Sequence, residues 1–436
     1  MLIRVLAHIA RRLKAHMKAN IFSALSEKSF LYAWIGEVFA LIATNIFNFF
    51  LLLVVFDITH SNAANSAVVL SITIPSIIFG VIAGAYVDRW NKKQVLLIVN
   101  ISRAFLLVLL AFNVNNLFFL YTVSFIFSFI TQFFIPAELP IVPLVVDKKN
   151  LYSANALFGM AIYGSLLISF IIAGPLIILL KSSGVPVLLA FMLLLASLFI
   201  LFIRLKDSKN LQNQKEFKGA NIFKDMMYTF SLISRTRDVS QAIFILALYQ
   251  ALVLVLATIA PGYASSVLGI PIVQLPLLFV APAALGVVVG AGIIINYFHK
   301  LSRDTLITIG VFLSSISLFL LPYGSKVASR DFVQTLNLYL PKYLTIDTIH
   351  IIIVLAFLLG FSNALVFVPA NTILQEKMTE AFRGKVYGFL NTFVGLLSLL
   401  PIIIVGGLAD VVGVSTVIVG IGALLLFLGI FRLIVR

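Results

Sequence analysis

The chain contains no cysteine, few histidines and few charges, and each scarcity removes a class of function. Without cysteine there are no disulfides and no thiolate metal sites. The five histidines, His8, His16, His60, His299 and His350, are scattered, with no HxxxH or HExxH spacing to hold a metal. No Walker loop or nucleophile constellation occurs, so neither an enzyme nor an ATP-driven pump is expected, and no cofactor is called for. Charged residues are only 11% of the 436, whereas a soluble domain carries roughly 25%. Apolar residues replace them: the chain is 61% hydrophobic, with a mean hydropathy of +1.13. That composition belongs to an all-α integral membrane protein.

A helix that crosses a bilayer needs about 20 mostly apolar residues. Polar and Gly/Pro punctuation divides the chain into about twelve such spans, near 31–56, 66–87, 94–113, 117–137, 154–179, 185–204, 240–262, 275–298, 303–322, 347–370, 386–408 and 413–434. The net charge of +15 then becomes a topology signal rather than a sign of nucleic-acid binding, which is not expected. Of 31 Lys and Arg, 26 fall on the side shared by both termini. Only Lys181, Lys326, Arg330 and Lys342 fall on the other, and Arg103 lies within a span. Both termini are therefore expected in the cytoplasm, with the chain in a bacterial cytoplasmic (cell inner) membrane.

Residues 1–28 form a basic N-terminal arm rather than a cleavable signal. Leu2, Leu6, Ile9, Leu13 and Met17 recur at helical spacing among Arg4, Arg11, Arg12, Lys14 and Lys18, which fits either an amphipathic helix on an anionic leaflet or a basic tail. A six-helix bundle is expected over 29–204, a cytoplasmic linker over 205–239 and a second bundle over 240–436. Ile222, Met226, Phe230 and Ile233 give part of the linker an interfacial helical face. The halves echo each other: GVIAG at 80–84 returns as GVVVG at 286–290, and FIPA at 134–137 returns as FVPA at 367–370, in matching spans. A duplicated membrane unit points to a transporter whose substrate binds between the repeats near the midplane.

The run GVIAGAYVDRWNKK, Gly80 to Lys93, lies between the second and third spans. It resembles the signature loop of the major facilitator superfamily. IVPLVVDKKNLYSANAL (141–157) and QEKMTEAFRGKVYG (375–388) are similar to its branch of drug and macrolide exporters that includes the enterobactin exporter. The resemblance covers nearly the whole chain and implies the major facilitator fold, two six-helix pseudo-repeats working by alternating access. It also implies a cytoplasmic latch in which Asp88 faces the positive N-terminal end of the eleventh span, near Arg383, Gly384 and Lys385. Gly80 and Gly84, one turn apart, would let backbones approach closely, and Asp88, Arg89, Lys92 and Lys93 would complete the latch. The lysines and Arg89 also read simply as positive-inside residues. The position matching Asp88 in the second half is Ile294, so the latch would be asymmetric.

Two charges stand out within spans, Glu37 in the first and Arg103 in the third, at similar depth from the cytoplasm. Glu37 shares a helical face with Thr44 and Asn48, beside Asn45. It reads either as a carboxyl that carries a proton between the two sides or as the structural partner of Arg103. Gln132, Tyr163, Tyr249, Gln250, Asn296, Asn363 and Asn391 are further candidates for a substrate cavity. So few acids favour a bulky, amphipathic or neutral substrate.

Gly174-Pro175 is similar to part of the exporter-associated Gly-Pro motif, although Phe170 stands where a further glycine would precede it. It reads equally as a packing glycine and a kink. Between the ninth and tenth spans, 323–347 is a long external loop with a helical apolar face at Phe332, Leu336, Tyr339, Leu340 and Tyr343. It reads as a lid, a partner contact or, preferably, an interfacial cover. The expected protein is a monomeric multidrug-type efflux antiporter exporting an amphipathic small molecule against protons, surrounded by membrane lipid. The alternative is a lysophospholipid or other lipid transporter of the same fold.

Overall fold

Alternating apolar runs and polar breaks become helices in the computed structural model, which describes residues 21–87, 90–147, 150–205, 231, 233, 236–297, 301–324, 334–335, 337, 347–378 and 380–434. Eleven helices among the described residues are long and apolar enough to cross a membrane. One of them, Leu151–Leu201, would extend about 75 Å at 1.5 Å per residue, far beyond a hydrocarbon core of about 30 Å. It breaks at Lys181, whose φ of 55° and ψ of 173° are not helical. The single helix is thus two span-length pieces, which makes twelve among the described residues.

We number the spans α1 (Lys28–Thr59), α2 (Asn62–Val87), α3 (Lys92–Ala111), α4 (Leu117–Thr131), α5 (151–180), α6 (182–201), α7 (Arg237–Gly262), α8 (Ala281–Asn296), α9 (Arg303–Leu320), α10 (Thr348–Lys377), α11 (Glu380–Val412) and α12 (Val414–Ile434). The face on which α1 begins is called the near face and its opposite the far face. Several starts are written locally. Asn91 accepts from the Gln94 amide, Asn116 from Phe119 and Ser302 from Thr305, and Asp347 forms a capping box with His350.

The fourth span ends earlier than its hydropathy suggests, because α4 stops at Thr131. Pro136 cannot donate the helical hydrogen bond to the Gln132 carbonyl, and its ring crowds that same oxygen. The chain continues through a short helix, Phe134–Glu138, and a 3-10 turn, Leu139–Ile141. Pro140 and Pro143 prolong the irregularity.

Packing separates two six-helix halves. One buried apolar cluster runs from Ala24 to Ile203, and others lie between Ile233 and Leu425. A small cluster crosses the divide, joining Val69 to Val255 and Ile402. The main contact between halves is α2 on α11. The seam is tight toward the far face, where the Ser66 hydroxyl donates to the Ile402 carbonyl at 2.7 Å. A side chain at Gly406 would run into Ser66 and the Asn62 carbonyl, and one at Gly174 into the Val273 carbonyl of the other half. Toward the near face, nothing lies within 4 Å of where a Cβ would stand on Gly84 or Gly388.

Candidate functional site

The span-disrupting prolines have a consequence for charge. By interrupting the helix after α4 they turn Glu138 into the protein, where it is 8% exposed. Glu27, just before α1, fixes the register: its carboxylate accepts from the Asp147 amide at 3.0 Å and from Asn150 Nδ2 at 2.8 Å. Ten residues inward on α1 and nine residues back along the chain, Glu37 and Glu138 then face each other across the core. Both are buried, and each bears on the charge of the other. Glu37 Oε1 has no partner.

Arg103, on α3, completes the cluster. It is 1% exposed and donates to Thr44 Oγ1 at 3.3 Å and to Asn100 Oδ1. Its guanidinium carbon lies 4.7 Å from the centre of the Phe134 ring and 5.5 Å from that of Phe127. Both glutamates act on it electrostatically. Ion pairs within 4 Å between described residues lie elsewhere, at Arg303–Glu376, Lys377–Asp238 and Arg432–Asp304. The direct Glu37–Arg103 pair considered from the sequence is therefore not formed within 4 Å, and Arg103 bears on both buried acids electrostatically. The count of two intramembrane charges is corrected to three. Glu138 was overlooked because the span was closed at residue 137. Its signal was present: it is the one charge in the otherwise apolar run from Phe134 to Val146.

Other predicted residues divide. Thr44 belongs to the cluster and also donates to the Ala40 carbonyl. Asn45, Asn48, Gln132, Gln250 and Asn363 are half-buried and Asn391 is exposed. Gln132 Nε2 turns back to the Ser128 carbonyl. Tyr249 does not line a cavity: it is 2% exposed in the core of the second half, with its hydroxyl 3.0 Å from Ser314 Oγ. A buried phenol needs a partner, and this one has found it. The side chains of Tyr163 and Asn296 lie outside the described residues.

Of the latch residues, Asp88, Arg89 and the side chains of Arg383 and Lys385 also lie outside the described residues, as do the basic arm, nearly all of the linker and most of the 323–347 loop. Lys92 Nζ donates to the Val87 carbonyl, and Lys93 Nζ to the Leu201 and Ile203 carbonyls at 2.8 and 2.7 Å. Both lysines therefore hold groups of their own half. Close backbone approach at Gly80 and Gly84 is not seen. Gly80 meets only Gln132 Oε1, 3.6 Å from where its Cβ would be, whereas the echoing Gly286 and Gly290 press on Phe357, Phe361 and Ala364 of α10. Among the described residues no group of three His, Cys, Asp or Glu could hold a metal.

With this geometry in hand, comparison with known proteins is informative. The sequence profile of the Major Facilitator Superfamily matches residues 33–400. The chain is 23% identical over 406 residues to the uncharacterized MFS-type transporter YfiS of Bacillus subtilis (strain 168), covering 88% of this chain and 87% of that one. In three dimensions it is similar to a mutant of the nucleoside transporter NupG, with a TM-score of 0.73 and 14% identity over 93% of this chain and 99% of the other. It is also similar to a POT family transporter in complex with 5-aminolevulinic acid, with a TM-score of 0.69 and 13% identity over 93% and 95% of the two chains. These likenesses at low identity establish the fold.

Proposed function

The chain belongs to the Major Facilitator Superfamily, and from that premise we propose that it is a secondary-active exporter of amphipathic small molecules, of drug, macrolide or siderophore-like chemistry, driven by proton antiport. The observation that carries the coupling is the burial of Glu37 and Glu138 beside Arg103. In this reading one of the two neighbouring acids carries the transported proton. One shared proton leaves a single negative charge to balance Arg103, so the buried cluster is neutral. Removing the proton leaves two acids against one base in a dry core, which is costly. Proton loss is therefore tied to a conformation that admits water or substrate.

The charge asymmetry supports a cytoplasmic near face. Together with the far-face seam, this supports reading the described conformation as one that opens inward, as an exporter must to collect its cargo. The polar groups of the spans, Asn45, Asn48, Gln132, Gln250, Asn363 and Asn391, are dispersed among apolar walls. Such a lining suits a bulky amphipathic ligand better than a polycation. The Gly174-Pro175 pair favours export in the same sense.

Efflux of a panel of amphipathic dyes and macrolides, from cells expressing the wild type, Glu37→Gln or Glu138→Gln, with and without a protonophore, tests the reading. Efflux lost with the protonophore and in both variants, at unchanged protein level, supports it. Efflux that survives the protonophore rejects proton coupling and turns attention to lipid substrates.

A further inference from the structure

The helices α3, α4, α9 and α10 carry their own capping side chains, and α2, whose Ser61 Oγ accepts from the Ala64 amide at 3.2 Å, receives in addition a carboxylate from the opposite half. The borrowed group is Asp410, near the end of α11. Its carboxylate accepts from Ser61 Oγ at 2.6 Å, the Asn62 amide at 2.7 Å, Asn62 Nδ2 at 2.8 Å and the Ala63 amide at 3.0 Å. An acid in the last turn of its own helix is badly placed, because it faces the negative end of that helix's dipole. Against the first turn of α2 the same charge meets two unpaired amides and the positive end of another.

We propose that Asp410 is the latch that holds the far face closed. The surroundings fit a contact made to part. Asp410 is exposed, so water can take over its four partners when the halves separate. The atoms behind it interlock without bonding covalently or burying charge: Asn62 lies between Asp410 and the bare backbone of Gly262 on α7, and Gly406 rests on Asn62 and Ser66. Asp88 stands one residue beyond the near-face end of α2 in the sequence. In this arrangement the helix-end charge of Asp410 stabilises closure of the far face only, and lets it go in the other state.

The absence of cysteine makes the test direct. Spin labels are attached to the full chain at Asn115→Cys and Thr416→Cys, both exposed at the far face and outside the seam, and the distance between them is measured by pulsed electron resonance. Asp410→Asn is expected to raise the long-distance population relative to the short one by on the order of ten-fold. An unchanged distribution in monodisperse Asp410→Asn overturns the proposal. So does opening in Gly406→Ala with none in Asp410→Asn, which would assign closure to packing. Should Asp410→Asn fail to give monodisperse protein, Ser61→Ala removes one of its four donors, together with the local cap on the Ala64 amide, and must shift the distribution the same way; no shift there overturns the latch.

Discussion

Glu37 on α1 and Glu138 beyond α4 are both buried inside the first half, each bearing on the other's charge, with Arg103 on α3 close enough to act on both. On the proposed coupling the two acids are equivalent in one respect: loss of either removes one side of the proton site. Glu37→Gln and Glu138→Gln are each expected to reduce gradient-driven efflux to below about a tenth of wild type. Both should still exchange substrate across proteoliposomes without a gradient, because the amide preserves shape and neutrality. If one variant alone loses coupling, the proton belongs to a single carboxyl and not to the pair.

Arg103 has a different part. It holds Thr44 and Asn100 and lies against Phe127 and Phe134, so it supports three elements at once. Removing one partner from a buried charged cluster costs about 3–5 kcal/mol. Arg103→Met is therefore expected to lower the melting temperature sharply in detergent. Arg103→Lys should recover little of that loss, since an ammonium cannot reproduce a planar fork lying over two rings.

The positions of the helices were legible because hydropathy, helix caps and prolines are local properties. Even the break at Lys181 falls where the sequence separates the fifth span from the sixth. The partners of the polar groups were not legible, because they are fixed by packing between distant segments. Glu138 read as the edge of a span until the register set by Glu27 carried it inward. Tyr249 read as a cavity group until Ser314 satisfied it. Asp410, at the end of a helix, has the appearance of an ordinary boundary residue, and only the three-dimensional arrival of Asn62 gives it a role.

Lys93 offers a separate test of a surface charge. Its ammonium closes the C-terminal end of α6 by donating to Leu201 and Ile203. A cation there contributes about 0.3–1 kcal/mol through the helix dipole. Lys93→Met should speed hydrogen exchange of the amides around residues 199–203 without altering exchange in the second half, and Lys93→Arg should restore protection. Equal exchange in all three proteins would leave the lysine as a topology signal alone.

Gly84 separates what stabilises the described conformation from what the transport cycle needs. Nothing lies within 4 Å of its missing side chain here, whereas the echoing Gly290 stands against Phe361 and Ala364. Alanine in the interior of a helix is favoured over glycine by roughly 0.5–1 kcal/mol, so Gly84→Ala should leave melting unchanged or raise it slightly. Gly290→Ala should lower it by about 1–3 kcal/mol through overpacking. If closing the near face brings α2 and α11 together, the added methyl at Gly84 will obstruct that approach. Transport by Gly84→Ala should then fall by at least several-fold while its stability does not. A variant that is both stable and fully active would show that the near-face closure does not pass through this glycine.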